Sequence, residues 1–317
     1  MPRSAWLSLL LAAALPVLAA SPAKAPAPQS SPVPLLWKVS DANNSVYLLG
    51  SFHLLRKDDY PLSKDIDAAL TDAESVMFEL PPEEMGSVEL GQSMFVAAVR
   101  TDGTTLSDDL TPAMQKNYDK WVAAHDTDIR AMFGGAAGAE LLQKMKPWMV
   151  GILVSLVDAK GMGMESELGL DMHLSAAAKA AGKPSSGLET GAQQLALFSG
   201  MSREEQLQLL DEALTESSDG KQEMESLHRE WRAGNADALW NGMGKETRAK
   251  FPALYRRINV ERNDAWVPKL EGLLRAPGTD DTLVVVGALH LLGNDGVVEK
   301  LRAKGFKVER ICSACKH

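Results

Sequence analysis

The chain has 317 residues, 45% of them hydrophobic and 24% charged, and a formal net charge of −9. That is the balance of a folded protein with room for a sizeable core. The negative charge and the lack of a long basic run argue against nucleic acid and against an anionic membrane surface as partners.

Met1-Pro2-Arg3 supplies one positive charge, Trp6 to Leu15 is almost continuously apolar, and Ala23-Lys24-Ala25 matches an A-x-A cleavage site. This layout predicts a signal peptide over residues 1–25, with an alternative cut after Ala20, and a periplasmic or secreted protein. A membrane anchor fits less well, because Pro16 interrupts a run already short for a bilayer. Residues 26–34 read as a Pro/Ala-rich linker outside the fold. No later stretch reads as a membrane span. Leu142–Val157 is the most apolar, but Lys144, Lys146 and Pro147 make it a buried helix instead.

Leu35–Val39 and Val46–Gly50, separated by the turn cluster Asp41–Asn44, predict a β-hairpin. Leu62–Ala73 reads as a helix capped by Ser63. Ser75–Leu80 is a short buried strand ended by Pro81-Pro82. From Ser87 to Gly182 the pattern is mainly helical, with Thr111-Pro112 opening one helix and Glu167–Ala181 forming another. Pro184–Leu188 is a candidate short strand. A second helical block runs from Gln193 to Leu274, with Ser202-x-x-Glu205 as a capping box. Thr282–Gly287 is the strongest strand in the chain, Asp295–Lys304 a helix, and Phe306–Ile311 a strand with alternating faces. Strands near both ends and helices between predict an α/β (α+β mixed) fold. Its central mixed sheet comes from the N- and C-terminal segments and is flanked by helices. The expected organisation is a single domain over 35–317 with a helical insertion at about 87–275; the alternative is two domains split near Gly182.

Two of the six histidines stand out by context. His53 follows Leu48-Leu49-Gly50-Ser51-Phe52, and His290 follows Val285-Val286-Gly287-Ala288-Leu289. Each Gly-x-x-His sits just beyond an apolar strand, where open α/β sheets bind ligands. Either histidine alone reads first as a strand-end cap, and only the pair together favours a functional site. Glu79, at the end of the next strand between Phe78 and Leu80, is costly to bury unless paired or bound to a cation. Two imidazoles and a carboxylate suit a divalent transition metal with an open position. Glu189 lies at a strand-to-helix junction, where capping the helix is the plain local reading and ligation or base chemistry the alternatives. Arg257 and Arg262 are five residues apart and do not share one helix face. Helix arginines are ordinarily solvated, yet Arg262-Asn263 also suits a substrate carboxylate or a developing oxyanion. Gly293-x-x-Gly296 is a weak candidate anion cradle. Cys312 and Cys315 read as a local disulfide or as free thiols, with a redox pair or a metal site including His317 as weaker alternatives. G-x-S-x-G, H-E-x-x-H and P-loop patterns are absent.

Taken in order, several segments resemble the TraB/GumN family. They are Leu36–Val39, Val46–His53, Val76–Leu80, Gly169-Leu170-Asp171, Leu188-Glu189-Thr190 with Gln193, Arg262-Asn263 and Val286–Gly293. The resemblance covers most of the chain after residue 35. It implies kinship with the Tiki metalloproteases and, in fold, with erythromycin-esterase-like and ChaN-like proteins. It implies a mixed sheet with both Gly-x-x-His turns in one cleft. The expectation is an exported metal-dependent hydrolase, peptidase-like in substrate, acting on a peptide or small molecule. A non-catalytic envelope protein that binds or sequesters a ligand is the alternative. His53, His290 and Glu79 are the expected ligands of a divalent metal (Mn, Co or Zn). Glu79 doubles as a base, and Glu189 and Arg262 are candidate catalytic residues. The terminal Cys312 and Cys315 depart from the family pattern.

Overall fold

The computed structural model describes residues 30–135, 138–219 and 221–315. The predicted signal peptide, its cleavage sites, residues 26–29 of the linker and His317 lie outside them. Six strands form one sheet: β1 Leu36–Ser40, β2 Ser45–Ser51, β3 Ser75–Phe78, β4 Ser185–Gly187, β5 Thr282–Gly287 and β6 Lys307–Ile311. Their order is β4-β3-β5-β2-β1-β6.

The hairpin forms as its turn residues dictate, with Ser40 opposite Ser45 and the Asp41 amide donating to the Asn44 carbonyl at 3.1 Å. β6 adds antiparallel to β1, while β2, β5, β3 and β4 run parallel. β5 lies between β2 and β3, pairing Ser51 with Gly287 and Phe78 with Val285. Every residue of β2 and β5 is buried. That explains why both read as continuous apolar runs, since helices cover both faces of a parallel sheet. The carboxyl ends of all four parallel strands therefore open on one side, and His53, Glu79, Glu189 and His290 each follow one of those ends, whereas Arg262 comes from a helix.

The helical middle matches the expected block, with informative breaks. Lys144–Lys146 interrupts the predicted buried helix, and Pro147 opens Pro147–Gly161, where its missing N–H costs nothing. The predicted helix Glu167–Ala181 is divided at Gly169 into a 3-10 turn, Ser166–Leu168, and the helix Leu170–Ala180. A side chain at Gly169 would run into the His53 carbonyl, and Leu170 N–H donates to the Phe52 carbonyl at 3.1 Å. The helix starts where it does because it is stitched onto the first Gly-x-x-His turn. Residues 30–34 are not a free lead-in: Val33 N–H donates to the Arg232 carbonyl at 2.7 Å, and Arg232 donates to the Ser30 carbonyl. Cys312 and Cys315 are joined by a disulfide, as expected. Among the described residues no helix is long and apolar enough to cross a membrane.

Candidate functional site

Beyond β2 the chain turns through Phe52 and presents His53; beyond β5 a 3-10 turn, Ala288–Leu291, presents His290. Glu79 follows β3 and Glu189 follows β4 by two residues. The ladder continues past both strand ends, Glu189 N–H donating to the Glu79 carbonyl at 2.9 Å. A fifth element crosses above them. A π-helical turn, Arg256–Val260, leads into the helix Glu261–Leu274, and π turns recur at functional sites because they re-aim side chains. Asn259, Arg262, Asn263 and Trp266 follow helical spacing on one face, and all four are buried.

The two imidazoles converge. His53 Nε2 and His290 Nε2 each lie 3.9 Å from the same oxygen, Glu79 Oε1. That oxygen accepts the Gly287 amide at 2.7 Å. The far ring nitrogens are held from behind. His53 Nδ1 sits 2.6 Å from Asp171 Oδ2, whose other oxygen accepts the Ser51 hydroxyl at 2.9 Å. His290 Nδ1 sits 2.7 Å from Asn263 Oδ1, and Asn263 in turn donates to the Asp295 carbonyl at 2.8 Å. With both Nδ1 atoms protonated toward these acceptors, both Nε2 atoms face Glu79. The Trp266 ring packs 4.5 Å from His290.

Arg262 is buried, not solvated. Its guanidinium donates to Glu79 Oε2 at 2.5 Å, to Glu189 Oε1 at 2.5 Å and Oε2 at 3.2 Å, and to His290 Nε2 at 2.9 Å. This corrects the local reading of Glu189. The helix Gly191–Ser199 is capped by Thr190, whose hydroxyl accepts from Gln193 N–H at 3.3 Å, and Glu189 is left to hold Arg262. A carboxylate at a strand end caps a helix only if no cation competes for it, and here one does.

The environments push the titrating groups apart. Burial would raise Glu79, but Arg262 foremost, then both histidines and the Gly287 amide, hold it well below the usual carboxylate range. Burial pushes His53 down, yet the Asp171 carboxylate at its Nδ1, with Glu79, outweighs this and lifts it to about 9. Burial and then the Arg262 charge push His290 down to about 3. At neutral pH the set contains an imidazolium at 53, a neutral imidazole at 290 and an ionised Glu79.

The donors suit a divalent cation in kind: two imidazole nitrogens preset by hydrogen bonds behind them, and one carboxylate oxygen. Two ligands of one ion, each about 2.1 Å from it, stand at most about 4.2 Å apart, and both 3.9 Å separations fall inside that limit. The charge suits it too: Glu79 and Glu189 share one guanidinium and Asp171 stands behind His53, so the set carries two net negative charges when both imidazoles are neutral. Among the described residues no group of three His, Cys, Asp or Glu side chains is placed to hold a metal ion, and Arg262 donates to His290 Nε2.

Sequence reasoning did not single out Asp171 or Gln194 as site residues. Gln194, one turn into its helix, donates to Glu79 Oε2 at 3.4 Å, whereas the neighbouring Gln193 serves the cap. Asp171 carried a signal only within the ordered motif set. The Gly293-x-x-Gly296 loop is no open cradle: the Trp240 indole packs against Gly293. The remaining described histidines are elsewhere, His125 beside Asp158, His173 against the Tyr60 ring and His228 on Asp59.

A mixed α/β protein with a buried ionisable cluster at the carboxyl ends of its parallel strands is the class these features define. The chain belongs to the TraB/PrgY/gumN family, whose model matches residues 35–310. It is 25% identical to the uncharacterized protein YbaP of Escherichia coli (strain K12) over 262 residues, covering 82% of this chain and 89% of the relative. The YbaP of Shigella flexneri matches to the same extent. No solved structure matches the chain.

Proposed function

We propose that the protein is an exported metal-dependent hydrolase acting on peptides, with His53, His290 and Glu79 holding a divalent ion (Mn, Co or Zn). The observation that carries this reading is the convergence of both Nε2 atoms on Glu79 Oε1, each 3.9 Å away. Export rests on the apolar leader and its A-x-A site. When bound, the ion supplies positive charge that polarises a substrate carbonyl, an effect of several kcal/mol.

The chain's own residues have distinct tasks. Asp171 and Asn263 keep the Nδ1 protons of His53 and His290, so the His290 Nε2 lone pair serves the cluster directly and that of His53 does so once its second proton has left. Glu79 is held ionised by its partners, which suits a ligand better than a proton acceptor, because a carboxylate of lowered pKa is a weak base. Glu189 positions Arg262, whose guanidinium faces the cluster and suits the stabilisation of negative charge developing on a substrate.

The test is metal loading followed by elemental analysis of wild type, His53→Ala, His290→Ala and Glu79→Ala, with cleavage of a peptide library by the same samples. Wild type is expected to hold about one ion and to cleave. Each variant is expected to lose both. Equal metal content in all four would sink the reading. Metal binding without any cleavage would assign the cleft to ligand capture instead.

A further inference from the structure

Arg262 does for the cluster what an ion would do. Its NH1 takes His290 Nε2 at 2.9 Å, and because His290 Nδ1 carries its proton to Asn263, that nitrogen has a single lone pair to give. Its NH2 reaches Glu79 and Glu189 at once. The guanidinium thus occupies two of the three proposed ligands and compensates carboxylates that would otherwise be buried without a counter-charge.

Its grip is uneven. Glu189 receives two bonds, from Nε and NH2, in the paired geometry that a guanidinium and a carboxylate prefer. The Trp266 ring lies 4.7 Å from the guanidinium carbon and adds a second support. NH1, by contrast, has another acceptor besides His290: the Ile258 carbonyl, 3.3 Å away on the preceding π turn. Arg262 can therefore turn one NH1 hydrogen off His290 while the other stays on Ile258 and the paired bonds to Glu189 stay in place.

We infer that Arg262 is a built-in displaceable cation, which fills the cluster in the ion-free protein and turns off His290, still held by Ile258 and Glu189, when a divalent ion enters. The inference rests on the proposed reading that the cluster binds such an ion. It gives Glu189 the role of positioning residue, the anchor on which Arg262 turns, and not that of a ligand. It also implies that the ion-free fold is kept intact by the same residue that competes with the ion.

The experiment measures Mn²⁺ affinity by calorimetry, and thermal unfolding with and without Mn²⁺, for wild type, Arg262→Gln and Arg262→Lys. Arg262→Gln should bind Mn²⁺ at least tenfold more tightly, unfold several degrees lower without the ion, and recover more of its midpoint than wild type when the ion is added. Arg262→Lys keeps the charge but lacks the fork, so it should shift the same way by less and keeps the test open if the glutamine variant does not fold. Unchanged or weaker Mn²⁺ binding by the variants, with wild type binding, would overturn the inference and leave the proposed function standing. No Mn²⁺ binding by wild type or either variant would remove the proposed function and the inference with it.

Discussion

At the scale of single residues, His53 and His290 carry the same local signature, yet at neutral pH one is charged and the other neutral. Their difference comes from the carboxylate behind His53, where His290 has only an amide oxygen, and from burial and the Arg262 charge that act on His290. Asp171→Asn removes the charge that lifts His53 to about 9 while keeping an acceptor of the same shape. Burial then acts with less opposition, so His53 should give up its proton at distinctly lower pH. An NMR titration of the His53 ring nitrogens measures this, and an unchanged midpoint would remove Asp171 from the account. Where the ion binds, Asp171→Asn should also weaken it by about 10- to 100-fold, the usual effect of losing a partner behind a ligand. The histidines and Glu79 were legible because each follows an apolar strand, and strand ends can be read from local pattern. Asp171 was not, because it meets His53 across 118 residues of chain and no local spacing records that distance. Glu189 was legible as a residue and misread in role, since its local context fits a cap and only the fold brings Arg262 to it.

At the scale of elements, the site depends on how closely β5 can approach its neighbours. A Cβ at Gly287 would stand 3.2 Å from Glu79 Oε1 and 3.4 Å from His53 Nε2, in the middle of the cluster. At Gly50, the matching glycine of the other Gly-x-x-His, it would meet Leu35 Cβ at 3.1 Å and the Ala288 backbone at 3.2 Å, which is core packing. The two substitutions to Ala should therefore separate. Both should lower stability by about 1–3 kcal/mol through overpacking, read from urea unfolding. Gly287→Ala alone should also abolish metal or substrate binding in the fraction that stays folded. Equal binding by the two variants would show that the glycine of β5 has no special place at the site. The strands that position these glycines were readable as apolar runs bounded by turns. Their neighbours were not: Glu79 shares an edge with His53 through β5, which lies between their strands, and sequence order alone places β3 beside β2.

At the scale of the whole molecule, the strands at both chain ends made the mixed sheet legible, whereas the contacts that fasten its margins were hidden in polar residues with no periodicity. Asp59 is the clearest case. It is fully buried, and it meets His228 Nε2 at 2.9 Å, the Arg56 amide at 2.7 Å and the Arg232 guanidinium. Arg232 also holds the Ser30 carbonyl, and Trp231 donates to the Gly50 carbonyl at 3.3 Å. One helix end thereby ties the first described residues and the loop after β2 to the turn that carries His53. Burial would raise Asp59, but the hydrogen bonds from His228, Arg56 and Arg232 outweigh it and hold the group below its ordinary value of 3.8. A carboxylate lowered by folding contributes stability that is fully present above its unfolded value. That contribution is lost as pH falls through the folded one. Asp59→Asn removes the charge at every pH and leaves the Arg232 guanidinium facing an amide, so at pH 7 it should cost about 3 kcal/mol. Below pH 3.8 the wild-type carboxyl progressively gains its own proton and comes to resemble the amide. The stability gap between the two proteins should therefore be widest near neutrality and narrow as pH drops from about 4 toward 2, measured by urea unfolding at each pH. A gap that stays constant over that range would mean that the ion pairs of Asp59 contribute nothing to holding this margin of the fold.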